Sequence, residues 1–348
     1  MSNTSSSQWP PAPKNLNEPV AATAAVDVGA HASTNVTTAT SVALPLGNPF
    51  HVQVLNGLRG FWHAITVNKK VTVGSSIVGL FILVAIFGPL FVHTDPTLLT
   101  DLSKSPPSAQ HWLGTTVTGQ DIFSQLIYGT RTSIMWAFFT GFAVTFISVV
   151  VGLVGGYFGG IVDDILSLVT NIFLVLPALP LAIVLASYFP RGPQMVALIV
   201  TFTSWAWGAR VLRAQTLSMR SREFVTAAKA SGERSWRIIF LEILPNEISI
   251  VAANFVSTTI YVILYSASLE FLGLGDLNSV SWGWMFYWAQ KTNALILGLW
   301  WWFIPPGICI AALGAGLALI NFGIDEVANP RLRNEPAPKE IKHKKVVK

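Results

Sequence analysis

The chain has 348 residues and a net charge of +5, and 52% of its residues are hydrophobic while only 11% are charged. Its apolar residues come in runs of about 20, the length that a helix needs to cross a bilayer core about 30 Å thick, which excludes a soluble globular protein. The single cysteine, Cys309, lies inside the last run and excludes a disulfide framework. We therefore expect an all-α integral membrane protein.

The first 70 residues divide into two predicted segments. Residues 1–48 are rich in Ala, Thr, Ser and Pro and show no sustained period, which predicts a disordered cytoplasmic tail. From 49 to 70, apolar residues such as Phe50, Val54 and Leu58 recur at helical spacing with polar residues between them. This pattern predicts an amphipathic helix that lies along the membrane interface before the first span.

Six apolar runs predict six transmembrane helices. The first helix and the external loop after it occupy 71–131, the other five helices form a core segment at 132–325, and 326–348 is a basic cytoplasmic tail. The predicted spans are 71–92, 132–157, 161–188, 195–217, 248–271 and 299–323.

Proline and asparagine interrupt several of these spans. Pro177 and Pro180 should kink the third helix, and Pro305 and Pro306 should make the start of the sixth irregular. Amides inside a span either join helices by hydrogen bonds or line a polar path. The candidates are Asn171, Asn254 and Asn321.

The basic residues predict the orientation. Eighteen of the 22 Lys and Arg lie before the first span, around the connection between the fourth and fifth spans (from Arg210 at the end of the fourth span to Arg237), or after the sixth span. Because Lys and Arg concentrate in cytoplasmic flanks, both termini and the fourth-to-fifth connection should be cytoplasmic. The positive charge then reflects topology and gives no reason to expect nucleic-acid binding.

The predicted loop between the fifth and sixth spans is rich in tryptophan. Trp282 and Trp284 fit two interpretations, anchors at the lipid headgroups or an aromatic rim at the mouth of a translocation path. Glu270 ends an otherwise apolar run, where a carboxylate faces either a polar cavity or the interface. Together with Asn254, these three residues are the candidates for the translocation path.

A short basic segment, 222–232, lies between the fourth and fifth apolar runs. Ser221 suits the start of a helix and Gly232 suits its end. Small alanines on such a helix would let the backbone of another protein come close, although a surface helix without a partner is the alternative. One face, at spacings of three and four, contains Phe224, Ala227, Ala228 and Ser231.

This segment, with I-L-P at 243–245, resembles the EAA loop of ABC importer permeases. Three further stretches resemble the peptide/nickel family of these permeases, the DppC and OppC type, and the four together cover about residues 60–333. The sequence departs from the family pattern at a few positions. Thr226 replaces an acidic residue, and Gln120 replaces Arg. Ser266 stands where these permeases often have Glu, and Glu270 stands where they have a small residue. The first of the three stretches contains H-W-L-G-T, G-Q-D and Y-G-T-R within 111–131. The second is G-G-Y-F-G-G at 155–160, followed by Asp163. The third contains F-L-G-L-G, S-W-G and N-P-R-L-R within 271–333.

The resemblance implies a type I ABC importer permease fold in the cytoplasmic membrane of a prokaryote. It implies a second permease as heterodimer partner, two ATPase subunits and an extracytoplasmic substrate-binding protein. Di- and oligopeptides are the implied solutes, with oligosaccharides of the cello-oligosaccharide type or nickel as alternatives. The ATPase-coupling residues that it implies are Glu223, Phe224, Ala227, Ala228, Gly232, Leu244 and Pro245.

The sequence contains few of the motifs that enzymes use for catalysis. No G-x-x-x-x-G-K-[ST] loop is present to hold ATP, and the six histidines are scattered, so we expect no catalytic residues, no cofactor and no metal site. Asp163 and Asp164 are adjacent and point apart on a helix, which favours stabilisation of a helix start over a catalytic pair. An ion-coupled secondary transporter and a membrane-embedded enzyme remain as alternatives, although the midplane charges or converging nucleophiles that they need are scarce.

Overall fold

The computed structural model describes residues 69–92 and 94–328, with side chains as far as 324. In this part of the chain the regular elements are helices, and the only extended pairing is an isolated bridge between Thr115 and Asp121. The helices are α1 (Lys69–Phe91), α2 (Ile122–Phe158), α3 (Gly160–Val175), α4 (Ala178–Tyr188), α5 (Pro193–Met219), α6 (Glu223–Ala230), α7 (Ser235–Phe271), α8 (Trp282–Lys291) and α9 (Trp300–Ala328).

The expected all-α membrane architecture is confirmed. Five helices, α1, α2, α5, α7 and α9, are long and apolar enough to cross a bilayer, and α3 with α4 makes a sixth span if the pair is counted as one. The predicted tail at 1–48, the interfacial helix at 49–70 and the N-P-R-L-R motif lie outside the described residues, except that Lys69 and Lys70 begin α1.

The third predicted span is broken more sharply than a kink. Helices α3 and α4 meet at an angle of 91°. Leu176, which precedes Pro177, takes an extended conformation with ψ of 129°, because the proline ring disfavours a helical residue before it. Pro177 then serves as the N-cap of α4, so one proline both ends one helix and starts the next.

Two helices, α2 and α7, begin ten or more residues earlier than predicted. The second span was expected from 132, yet α2 starts at Ile122, because the Asp121 carboxylate accepts a hydrogen bond from the Ser124 amide at 2.8 Å and caps the helix. His111 Nδ1 lies 2.9 Å from the other oxygen of Asp121, which ties the preceding loop to this cap. The H-W-L-G-T and G-Q-D stretches therefore build the start of α2.

The fifth span begins at Ser235 and not at 248, because Pro245 does not break the helix. The six residues before Leu244, Ile238–Ile243, form a π-helical segment, and Leu244–Phe271 continues as α-helix. Pro245 is the second residue of the α-helical part, directly after the wider π-helical turn, and the helix continues through it. Likewise, α9 continues through Pro305 and Pro306.

The predicted loop between the fifth and sixth spans contains a helix of its own. Ser281 caps α8 by accepting a hydrogen bond from the Trp284 amide at 3.0 Å. Trp282, Met285 and Ala289 of α8 are buried in the main apolar core, together with Trp302 of α9. This packing places the tryptophan-rich segment inside the fold.

Glycines let α1 and α9 pack closely. A Cβ atom added at Gly74 would lie 2.6 Å from the carbonyl oxygen of Gly316, whereas one added at Gly79 meets nothing within 4 Å. Small residues at helix contacts allow this approach inside a membrane, where packing is the main force between helices.

Gly74→Ala is therefore expected to destabilise the protein by about 1–3 kcal/mol, the usual cost of overpacking a filled core. Gly79→Ala, on the same helix, is the matched control and should not destabilise the protein, since alanine favours a helix where there is room for it. The fraction of each variant that stays folded in detergent after heating measures the difference. Equal heat resistance of the two variants would contradict the close α1–α9 contact.

Candidate coupling surface and solute cavity

Helix α6 is close to the predicted boundaries of the basic segment. It spans Glu223–Ala230, and Gly232 follows with φ of +75° while its amide donates to the Lys229 carbonyl at 3.0 Å, as a helix-ending glycine does. The expected cap at Ser221 is wrong. Arg222 occupies the N-cap position without a side-chain hydrogen bond, and the Ser221 hydroxyl instead donates to the Ser218 carbonyl at 3.3 Å.

The predicted face of α6 is split between two sides of the helix. Val225 is fully buried, and Phe224 and Ala228 are half-buried against the same cluster, whereas Ala227 and Ser231 are exposed. The apolar cluster behind α6, called the α6 core, consists of Val149, Leu153, Tyr157, Leu212, Val225, Ile238, Ile239 and Ile243. Ala228 therefore packs against the α6 core while part of its surface stays exposed.

The exposed side of α6 presents a stripe of mostly small residues. Positions i, i+3, i+4 and i+7 lie on one side of a helix, and here that side faces away from the α6 core. We call this set the exposed stripe; it consists of Glu223, Thr226, Ala227 and Ala230. Its small side chains leave the helix backbone open to close approach by another protein.

The helix is held firmly against the bundle. Lys229 Nζ lies 4.8 Å from the centre of the Tyr157 ring at the end of α2, a cation–π distance. Leu244 packs against the α6 core, and Pro245 is buried beside it. Leu244, a predicted coupling residue, therefore supports α6 from behind, and Pro245, another, is buried and does not form part of the exposed surface.

An ion pair joins α3 to α5 beside this region. Both oxygens of Asp163 bond the Arg213 guanidinium, and the Nη2–Oδ2 distance is 2.7 Å. Asp163 lies in the first turn of α3, where a negative charge also suits the helix dipole, as predicted, while Asp164 is exposed. This fork-like pairing fixes α3 to the helix that leads into α6.

A cavity of about 760 Å³, called the polar cavity, lies between α3, α4, α5, α7 and α9. Asn254 of α7, one of the predicted path residues, lines it together with Asn321 of α9. The third predicted amide, Asn171, does not line it and accepts a hydrogen bond from Arg210 at 2.9 Å. A volume of this size lies in the range of small-molecule sites.

The other predicted path residues lie elsewhere. Trp282 and Trp284 are only 1% and 7% exposed, so they form neither an open aromatic rim nor headgroup anchors here. Glu270 is half-buried and accepts a hydrogen bond from Ser281, the cap of α8, at 2.6 Å. It lies with Trp282 beside a small separate cavity, so its observed contacts attach α8 to the end of α7.

Several lining residues of the polar cavity were missed from the sequence. Trp207 and Gly208 of α5 face it, as do three hydroxyl-bearing residues of α7. The signal was present in α7, where polar residues recur at i, i+3, i+4 and i+7, the spacing of one helix face. These are Asn254, Ser257, Thr258 and Tyr261.

Comparison with known proteins identifies the family of this chain. Residues 148–334 match the family described as the binding-protein-dependent transport system inner membrane component. The dipeptide transport system permease protein DppC of Alkalihalophilus pseudofirmus is 31% identical over 77% of this chain and 88% of its own. The oligopeptide transport system permease protein OppC of Bacillus subtilis is 33% identical over 76% and 87%.

A solved structure is also similar in part. The MetNI methionine ABC transporter in an inward-facing conformation aligns with a TM-score of 0.48 and 19% identity, over 59% of this chain and 95% of that chain. The identity and coverage of the permease relatives, together with the match over 148–334, establish the family. The chain therefore belongs to the family of binding-protein-dependent transport system inner membrane components, the membrane-spanning permeases of ABC importers.

Proposed function

We propose that this permease imports di- and oligopeptides across the cytoplasmic membrane of a prokaryote. The proposal is supported by relatives named for dipeptide and oligopeptide transport that match more than three quarters of the chain. The observation that carries it furthest is the polar cavity, whose lining combines neutral polar groups with apolar walls. Such a lining suits peptides better than it suits a free metal ion, which would require carboxylate, imidazole or thiolate ligands.

In this proposal, α6 is the coupling helix on which an ATPase subunit docks. The exposed stripe offers the contact, and the α6 core transmits the displacement to α2, α5 and α7. Two ATPase subunits close on ATP, and their closure favours one of two arrangements of the spans because they bind the two arrangements unequally. The chain itself carries out no chemistry.

The proposed assembly includes a second permease as heterodimer partner and an extracytoplasmic substrate-binding protein that delivers the solute. The orientation that follows from the basic residues places α6 and both termini in the cytoplasm. Arg220, Arg222, Lys229 and Arg234 around α6 are among the basic residues on which this orientation rests.

Uptake of labelled trialanine and labelled cellotriose, measured in cells with and without this chain, tests the solute class. We expect selective loss of trialanine uptake in cells that lack the chain. Selective loss of cellotriose uptake would assign the importer to oligosaccharides. Selective loss of nickel uptake, measured in the same cells, would assign it to the metal.

A further inference from the structure

The break between α3 and α4 leaves four backbone carbonyls without a hydrogen-bond donor among the described residues. They belong to Phe173, Leu174, Val175 and Leu176, the last turn of α3 and the residue after it. In a continuous helix the Phe173 carbonyl would accept from the N–H of residue 177, which is a proline and has none. The carbonyls of Leu174 and Val175 would accept from the next turn, but the chain turns away by 91°.

These carbonyls belong to the wall of the polar cavity. Phe173, Leu174 and Leu176 line it, as does Ala178 at the start of α4. The last carbonyls of a helix point along its axis beyond its end, and here no further turn of the helix covers them. On α5 the lining residues lie between 203 and 211, the middle of that span, so the cavity lies at membrane depth.

The break is anchored on both sides. The centre of the Phe173 ring lies 5.0 Å from that of Phe202 and 5.2 Å from that of Trp205, both on α5. On the other side, Ala182 of α4 is fully buried in the main apolar core. The free carbonyls therefore lie between two segments that are packed against the bundle.

The break has an excess of hydrogen-bond acceptors. Among residues 173–181, the free amides are those of Ala178 and Leu179 at the start of α4, two donors against four free carbonyls. Carbonyls at the C-terminal end of a helix also form the negative end of its dipole. Unpaired backbone groups at membrane depth are costly, so the carbonyls require a donor from the contents of the cavity.

The side chains of the cavity wall are neutral. In the described part of the chain, no carboxylate lines the cavity to bind a metal ion, and no basic group lines it to repel a positive charge. Trp207 and Tyr261 contribute aromatic rings, and Trp207 is 66% exposed. The face of such a ring attracts an ammonium group. The wall as a whole suits a positively charged group that carries N–H donors.

We propose that the free carbonyls at the end of α3 bind the α-ammonium group of a peptide inside the permease. This group has three N–H donors and a positive charge, which match a cluster of acceptors at the negative end of a helix. Every unmodified peptide carries it whatever its side chains, whereas a neutral oligosaccharide has none. The site rests on the proposed peptide import and adds to it a requirement for a free amino terminus.

Equilibrium binding to the purified importer tests the site. The importer is isolated through a tag on this chain, placed in lipid nanodiscs without the substrate-binding protein, and titrated with radiolabelled trialanine. The competitor is propionyl-dialanine, which is trialanine without its amino group, so it lacks the ammonium and adds no bulk. We expect saturable binding of trialanine, and competition by propionyl-dialanine that is at least about tenfold weaker than by unlabelled trialanine, as for a hydrogen bond to a charged group.

Two proline variants locate the site at the break. Pro177→Ala supplies an N–H to the Phe173 carbonyl and lets the helix continue, so it should weaken trialanine binding about tenfold and reduce the difference between the two ligands. Pro180→Ala is the matched control, because it lies in the first turn of α4, where amides have no partner within the helix, and it should keep the wild-type affinity. The comparison of ligands on the wild type requires no variant, so it decides even if Pro177→Ala does not fold.

The outcomes separate the site from the function. Equal competition by the two ligands, or no saturable binding of trialanine, would overturn the site, while peptide import stands if trialanine uptake by cells depends on the chain. Trialanine uptake that does not depend on the chain would overturn the proposed function itself. Equal competition together with trialanine binding that requires sodium would assign the carbonyls to a free cation instead.

Discussion

Ala227→Trp is expected to reduce solute uptake by more than about tenfold, which corresponds to about 1.4 kcal/mol of lost docking free energy. Ala227 lies at the middle of the exposed stripe and is turned away from the α6 core. A large side chain there should therefore disturb a docked ATPase without disturbing the fold. Uptake of labelled trialanine, set against the amount of permease in the membrane, measures the effect.

Two further variants test whether the size of the side chain at position 227 causes the loss of uptake. Ala227→Ser keeps the residue small and should transport normally. Ala228→Trp changes the neighbouring alanine on the half-buried side, and it should lower the amount of folded protein because it overpacks the α6 core. Normal uptake by Ala227→Trp would show that α6 does not dock an ATPase through the exposed stripe.

Asp163→Asn should destabilise the protein by about 2–3 kcal/mol. Removing one partner of a fully buried ion pair usually costs more than that. Here the Asp163 side chain is only 12% exposed, but the Arg213 side chain is 35% exposed. Solvent around Arg213 therefore screens part of the attraction that is lost. The fraction of purified protein that stays folded in detergent after a heating step measures the loss.

The exchanged pair, Asp163→Arg combined with Arg213→Asp, is the control for this effect. It restores opposite charges across the same contact, so it should recover part of the stability that either single change loses. Arg213→Lys keeps the charge but gives up the fork-like geometry, and its stability should fall between the wild type and Asp163→Asn. An Asp163→Asn variant as heat-resistant as the wild type would contradict a stabilising role for the pair.

Local features of the fold could be predicted because they depend on few neighbours. The bilayer requires long apolar helices, so the composition alone gave the approximate positions of the spans. Pro177 constrains the backbone at its own position and at Leu176. An interruption of the third span could therefore be predicted at this proline, where the structure has the break between α3 and α4. The exact helix starts were missed where a cap such as Asp121 extended a helix beyond its apolar run.

The candidate site was harder to predict, because it depends on contacts between distant residues. Asp163 and Arg213 are 50 residues apart, and nothing in either segment indicates the other. The tryptophans of α8 have the composition of an interface anchor, and their burial follows only from the packing of α8 against α9 and the rest of the main core.

By itself, the sequence determined that this protein crosses a membrane, that a short helix ending at Gly232 separates two spans, and that the chain resembles importer permeases. Those properties follow from hydrophobicity, from backbone preferences and from residues that are close in the chain. The tertiary structure decided which side of α6 is exposed and which amides face a common cavity. Both depend on which helices pack together, because burial is a property of a residue's neighbours in space.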